Sequence, residues 1–166
     1  MFAPIVCPLR AVESAWIDYN GHMNMAYYHL VFDEALDLVL DSLGIGPAYV
    51  RERQYSLFTV ETHVHYLGEL ALGDPIRVEY RFLDWDDKRL HCYGEMYQGE
   101  NGRLAATSEQ LSLHIDLRMR RAAPFPEDVV RLLAAVMDEH SALPRPDRVG
   151  HVMGIAREKS RLNATR

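Results

Sequence analysis

The spacing of apolar residues changes twice along this chain. From about Asn24 to Leu43 they recur at helical intervals, at Met25, Tyr28, Phe32, Ala35, Leu36, Val39, Leu40 and Leu43, which predicts one long helix. Further apolar residues leave only a narrow polar stripe at Asp33, Asp37 and Asp41, so other structure is expected to wrap the helix. Gly44 and Gly46-Pro47 stop it. The pattern then turns to period two over Tyr55–Tyr66, Ile76–Asp84, Arg89–Gln98 and Leu104–Asp116, all rich in Val, Tyr, Thr, Phe and Leu. Gly68 and Gly73-Asp74-Pro75, then Asp84–Lys88, then Gly99–Gly102 supply the turns, so the last three runs read as consecutive antiparallel hairpins. A short strand is expected over Ile5–Val12, and a closing helix from Pro126 to about His140. Strand, long apolar helix and four long strands combine most economically as an α+β fold, an antiparallel sheet curled around a long central helix. One helix cannot cover both ends of such a sheet, which predicts pairing with a second copy as a homodimer or homotetramer.

At 166 residues the chain is expected to form one domain over residues 1–142, followed by a tail over 143–166. Nearly half its residues are apolar and a quarter charged, as in globular proteins. No apolar run approaches the roughly 18 residues that span a bilayer, and MFAPIVCPLR lacks the make-up of a secretory signal. The two cysteines, Cys7 and Cys92, form no CxxC or scaffold pattern, which fits a reducing cytoplasm. The net charge of −6 is uneven: residues 145–166 hold six basic residues against two acidic ones. An acidic body argues against a nucleic-acid partner. The basic tail either meets phosphates or is a solvated terminus.

The run Asp18-Tyr19-Asn20-Gly21-His22-Met23-Asn24 sets a carboxylate, a glycine turn and an imidazole directly before the long helix. A helix start offers unpaired N–H groups and the positive end of the macrodipole, which together can hold a developing oxyanion. An aspartate beside it can act as base or nucleophile. The plainer reading is an N-capping turn in which Asp18, Asn20 and Asn24 only satisfy backbone donors. Other devices are absent: no G-x-S-x-G elbow, P-loop, G-x-G-x-x-G or H-E-x-x-H occurs. Glu61, His63 and His65 alternate along one strand and so share a face. They form a partial metal-ligand set, yet such histidines more commonly sit on a half-polar strand face, so neither metal nor cofactor is expected. His91, Tyr93 and His114 read as structural.

Asp18-Tyr-Asn-Gly-His-Met-Asn24, then Tyr28, Phe32-Asp-Glu-Ala35 and Leu43-Gly44 resemble the opening signature of hotdog-fold acyl-CoA thioesterases of the 4-hydroxybenzoyl-CoA type. Tyr66, Gly73-Asp74-Pro75-Ile76 and Ala106-Thr-Ser-Glu-Gln110 fit the same pattern, and the resemblance covers roughly residues 5–137. A narrower likeness, to the betainyl-CoA thioesterases of bacterial carnitine degradation, lies in Trp16–Met23, Thr59–His63 with Gly68-Glu69, and Lys88–His91. The resemblance implies a hotdog fold with active sites at a dimer interface, Asp18 as the catalytic carboxylate and the Met25 backbone amide as the oxyanion donor. His22 is expected to orient the carboxylate or the water, or else to brace the turn. Asn24, Glu61 and Tyr66 are the expected substrate contacts, with Tyr55, Trp85 and Tyr93 as further candidate walls for a cationic acyl group. Related hydratases carry D-x-N-P-x-H; here Asp18 and His22 are four apart with Gly21 in place of proline, which weakens a hydratase reading. The runner-up is a general short- or medium-chain or aromatic acyl-CoA thioesterase; a non-hydrolytic acyl-CoA binding module and a small interaction protein with a hotdog core are the alternatives from other classes.

Overall fold

The computed structural model describes residues 3–99 and 102–155. Its elements are β1 (Ile5–Val6), β2 (Arg10–Ala11), α1 (Met25–Ser42), α2 (Pro47–Arg53), β3 (Tyr55–Tyr66), β4 (Pro75–Trp85), β5 (Arg89–Gln98), β6 (Leu104–Asp116), β7 (Arg121–Ala122) and α3 (Glu127–His140). The long strands form one antiparallel sheet in the order β1-β4-β5-β6-β3, with β2 also on β4 and β7 on β6. This α+β arrangement is a hotdog fold, with the sheet not closed into a barrel.

The helix begins where its sequence supplies a cap: the Asn24 side chain accepts the Ala26 N–H at 3.0 Å. It ends at Gly44, whose positive φ of 74° lets its N–H turn back to the Asp41 carbonyl. Tyr28, Val31, Phe32, Ala35, Leu36, Val39 and Leu40 are buried along it, while Asp33, Asp37 and Asp41 form the exposed stripe. Burial, then the neighbouring charges of Asp33 and Glu34, raise the Asp37 carboxyl above its usual range.

The helix is seated on the sheet at Gly94 in β5. A Cβ there would lie 2.8 Å from the Tyr80 ring and 3.1 Å from that of Phe32. Those two rings meet edge-on at 6.4 Å, and the Tyr80 hydroxyl donates to the Phe32 carbonyl at 2.9 Å. Tyr80 pairs with Gly94, and Gln110 on β6 accepts from the same hydroxyl. Ala106, Ser108, Gln110, Ser112 and His114 therefore face α1, and alternation turns Thr107, Glu109 and Leu111 to the outer face.

The β4, β5 and β6 hairpins and the long helix match the sequence pattern, with β4 one residue longer at each end. Two expectations need correction. The strand expected over Ile5–Val12 is split into β1 and β2, because Pro8 falls between them and has no N–H for the ladder. The Gly46-Pro47 stop is also a start: Pro47 opens α2, which the pattern did not predict.

From β3, at one edge, the chain crosses the sheet to β4 through residues 67–74. This crossover passes the start of α1, where the Leu70 carbonyl accepts the Met23 N–H at 2.8 Å and the Gly68 carbonyl accepts the Tyr28 hydroxyl at 3.0 Å. Beyond α3 the chain lies on the outer face. The Pro144 carbonyl accepts from Arg81, and the Gly150 N–H donates to Glu109 at 2.8 Å. The tail's Arg157, Lys159, Arg161 and Arg166 lie outside the described residues.

Candidate active site

The Asp18–Asn24 run closes on itself before it enters the helix. The Asp18 N–H donates to the His22 carbonyl at 3.1 Å and the Gly21 N–H returns to the Asp18 carbonyl at 3.0 Å. Gly21 sits at φ +82°, a conformation other residues adopt at a cost. The turn places Asp18 beside the helix cap. One carboxylate oxygen accepts the Asn20 N–H at 2.8 Å, and the other accepts from Asn24 Nδ2 at 3.3 Å. The capping reading and the catalytic reading thus share the same atoms: Asn24 caps α1 with its oxygen and holds Asp18 with its nitrogen.

Inside the first turn, the Ala26 N–H is taken by Asn24 Oδ1 and the Tyr27 N–H by the Asn24 carbonyl. As the first helical residue, Met25 has no i−4 carbonyl within the helix, and its side chain is exposed. A cleft of about 310 Å³ opens at this point, lined by His22, Met23, Met25, Tyr28, Tyr66 and the crossover residues Leu67–Glu69. The Tyr28 and Tyr66 rings meet edge-on at 5.3 Å. Burial raises both hydroxyls above their ordinary pKa, so they remain neutral donors. His22 Nδ1 lies 3.3 Å from the Met23 carbonyl, which can only accept. In the neutral ring that contact puts the hydrogen on Nδ1 and leaves Nε2 as an acceptor.

Of the residues expected from sequence, His22, Met25 and Tyr66 line this cleft, and Asp18 and Asn24 adjoin it through the cap. Glu61 lies elsewhere within the chain. It is exposed on the outer face of β3, where it lines a second cavity of about 390 Å³ with His63, His91, Glu109 and His151. The other candidate walls are also apart: Tyr55 packs on Tyr49 and His114, Tyr93 is buried opposite Glu109, and Trp85 ends β4. His114 is structural as expected, its Nδ1–H donating to the Ala123 carbonyl and Nε2 accepting from Tyr49, both at 2.8 Å. His91 pairs with Glu109 at 2.8 Å.

Five lining residues, Met23, Tyr28, Leu67, Gly68 and Glu69, were not among the expected site residues, and of these Tyr28 and Glu69 carry polar side chains. Tyr28 follows Met25 by three positions, so helical geometry alone puts both on one face. Glu69 was visible only as part of a motif; its place depends on the crossover, which no local pattern predicts.

Comparisons with known proteins establish the family. A relative from Pseudomonas aeruginosa, named betainyl-CoA thioesterase, is 39% identical over 140 residues, covering 84% of this chain and 88% of its own length. A Rhizobium meliloti relative, named L-carnitine dehydrogenase/betainyl-CoA thioesterase, is 36% identical over 154 residues. This chain is covered to 90% in that match but spans only 31% of that longer protein. Among solved structures, a hypothetical protein from Staphylococcus aureus in complex with CoA superposes with a TM-score of 0.85 at 32% identity, covering 92% of this chain and 96% of that one. A putative thioesterase from Pseudomonas putida superposes at 0.80 with 31% identity, over 95% of this chain and all of that one. With residues 12–133 matching the family's sequence model, this chain belongs to the thioesterase-like superfamily.

Proposed function

We propose that this chain hydrolyses acyl-CoA thioesters, with betainyl-CoA as its preferred substrate. The observation that carries the reading is the junction at Asn24, where one side chain joins the Asp18 carboxylate to the start of a helix whose first amide opens on a tyrosine-walled cleft. A thioester placed there directs its carbonyl oxygen at the Met25 amide, where the helix dipole favours the developing negative charge. Asp18 then takes a proton from water as it attacks, or attacks the carbonyl itself to form an anhydride that water opens. Either route breaks the C–S bond, releases CoA as a thiolate of low enough pKa to leave unassisted, and yields the free acid. His22 Nε2, the free acceptor, orients the water.

A betainyl group carries a permanent cation without a proton to donate, so aromatic faces and carboxylates must hold it. Tyr28, Tyr66 and Glu69 supply both at this cleft, which supports the narrower substrate, as do the names of the relatives.

The site works in a homodimer or homotetramer. β3 is a sheet edge twelve residues long whose other side pairs with β6 alone among the described residues, and Phe58, Val60 and Tyr66 are exposed along it. Such an edge invites a second copy, and a partner there would bring a second β3 towards Tyr66. We place the protein in the cytoplasm: both cysteines are free and buried, and burial raises their thiols to about 11 and about 12. Among the described residues no helix is long and apolar enough to cross a membrane.

The test is release of free thiol from a panel of acyl-CoAs that includes betainyl-CoA and its uncharged isostere. Betainyl-CoA is expected to show roughly 5- to 30-fold higher kcat/KM, the equivalent of about 1–2 kcal/mol of cation attraction. Equal rates would leave a general acyl-CoA thioesterase, and binding without thiol release would leave a binding module.

A further inference from the structure

His63 and His65 meet a third histidine from far along the chain. The segment after α3 crosses the outer face and sets His151 beside them, with ring centroids 5.9 Å and 4.9 Å away; the two strand histidines are 4.5 Å apart. One nitrogen from each ring lies within 4.8 Å of the others. Thr107 Oγ1 stands 3.5 Å from His65 Nδ1, while His65 Nε2, on the other side of that ring, is buried with no hydrogen-bond partner among the described residues. Burial normally demands a partner for such an atom.

We propose that His63, His65 and His151 form a binding site for a divalent transition-metal ion of the zinc class. Three neutral imidazoles are the donor set that favours Zn²⁺, Cu²⁺, Ni²⁺ or Co²⁺ over Mg²⁺ or Ca²⁺. Tetrahedral zinc with bonds of about 2.1 Å separates its ligand nitrogens by roughly 3.4 Å, so the rings need to close by little more than an ångström at the widest pair. His151 is exposed and can make that movement. The outer contacts fit a metal site as well. Thr107 can hold the Nδ1 side of His65, and Glu109 fixes the loop that carries His151 by accepting the Gly150 N–H. The adjoining cavity, lined by Glu61 and Glu109, leaves room for water as the fourth ligand and places two carboxylates near the cation.

His65 lies on β3 between Val64 and Tyr66, whose side chains turn to the α1 face, so this site is on the opposite side of the sheet from the Met25 cleft. It does not depend on the thioesterase reading. A bound ion would pin the segment after α3 to the sheet edge.

Metal-stripped full-length protein titrated with Zn²⁺ by calorimetry, and with Co²⁺ by visible absorption, tests the proposal. One ion per chain is expected, with the strong visible bands of tetrahedral Co²⁺. His151→Ala, a change at an exposed position outside every helix and strand, is expected to weaken binding at least about 100-fold without altering the melting curve. His22→Gln is expected to bind as the unaltered chain does. Equal affinity in His151→Ala, no stoichiometric binding by the unaltered chain, or loss of binding in His22→Gln would each overturn it.

Discussion

Asn24 and Asp18 are joined by a single side-chain hydrogen bond of 3.3 Å, and Asn24 is at the same time the cap of the central helix. The carboxylate is therefore positioned by the residue that fixes where the helix begins, and with it the Met25 amide proposed to hold the oxyanion. A small change in the turn moves both halves of the site together.

Asp18→Asn preserves the size and the acceptor for the Asn20 N–H, but removes the basic oxygen that accepts from Asn24. It is expected to lower kcat at least about 10²-fold while circular dichroism and melting temperature stay near those of the unaltered chain. Near-normal turnover would remove Asp18 from the chemistry. A single turnover in water labelled with heavy oxygen can establish the anhydride route: label in the Asp18 carboxylate arises only when water opens an anhydride at the Asp18 carbonyl, whereas direct hydrolysis, or opening at the acyl carbon, leaves the label in the product acid.

Assembly through the β3 edge predicts a particle of at least twice 19.1 kDa by light scattering. Val60→Arg places a charge on an exposed position of that edge and is expected to shift the population towards monomer. An active monomer in the unaltered chain would refute the dimer.

Gly94→Ala tests the helix seat. The added methyl meets the Tyr80 ring at 2.8 Å, with the Phe32 ring close behind. Overpacking of this kind is expected to cost about 1–3 kcal/mol, read by chemical denaturation. Gly94→Ala with Tyr80→Phe keeps the clash and also loses the hydroxyl's bond to Phe32, so it is expected to be less stable still.

The buried His114 makes stability depend on pH. Desolvation is the largest cause that lowers its pKa from 6.5, with the Arg53 charge also lowering it and the hydrogen bond to Ala123 opposing. The unfolded chain thus binds a proton at a higher pH than the folded one. The stabilisation is present above about 6.5 and is lost as pH falls towards the depressed folded value. Melting temperature is expected to drop between pH 7 and pH 5, with the His114 resonance titrating below 6.5. A His114 midpoint above 6.5 would reverse the sign.

Much of this was legible beforehand because it is local. The period-two runs gave the four long strands, the spacing from Met25 to Leu43 gave α1, and the family-like turn marked the candidates Asp18, His22 and Asn24, which lie together at the start of that helix. What was not legible depends on long-range placement. Glu61 and Tyr66 are five residues apart, so strand alternation sends them to opposite faces, but which of those faces lines the cleft is set by where α1 and the crossover pack. The partial ligand pair at His63 and His65 gained its third member from a segment 86 positions beyond His65, for which the sequence carries no local signal.

The seat at Gly94 also bears on how the protein can vary. The helix rests on a position that admits no side chain, whereas the cleft takes one wall from crossover residues 67–69, held to β6 by two backbone bonds to Ala105. Substitutions at Leu67 and Glu69 alter the rim and leave the helix support untouched. Selection for a new acyl group can therefore work on the rim alone, while the helix start at Met25 stays where it is.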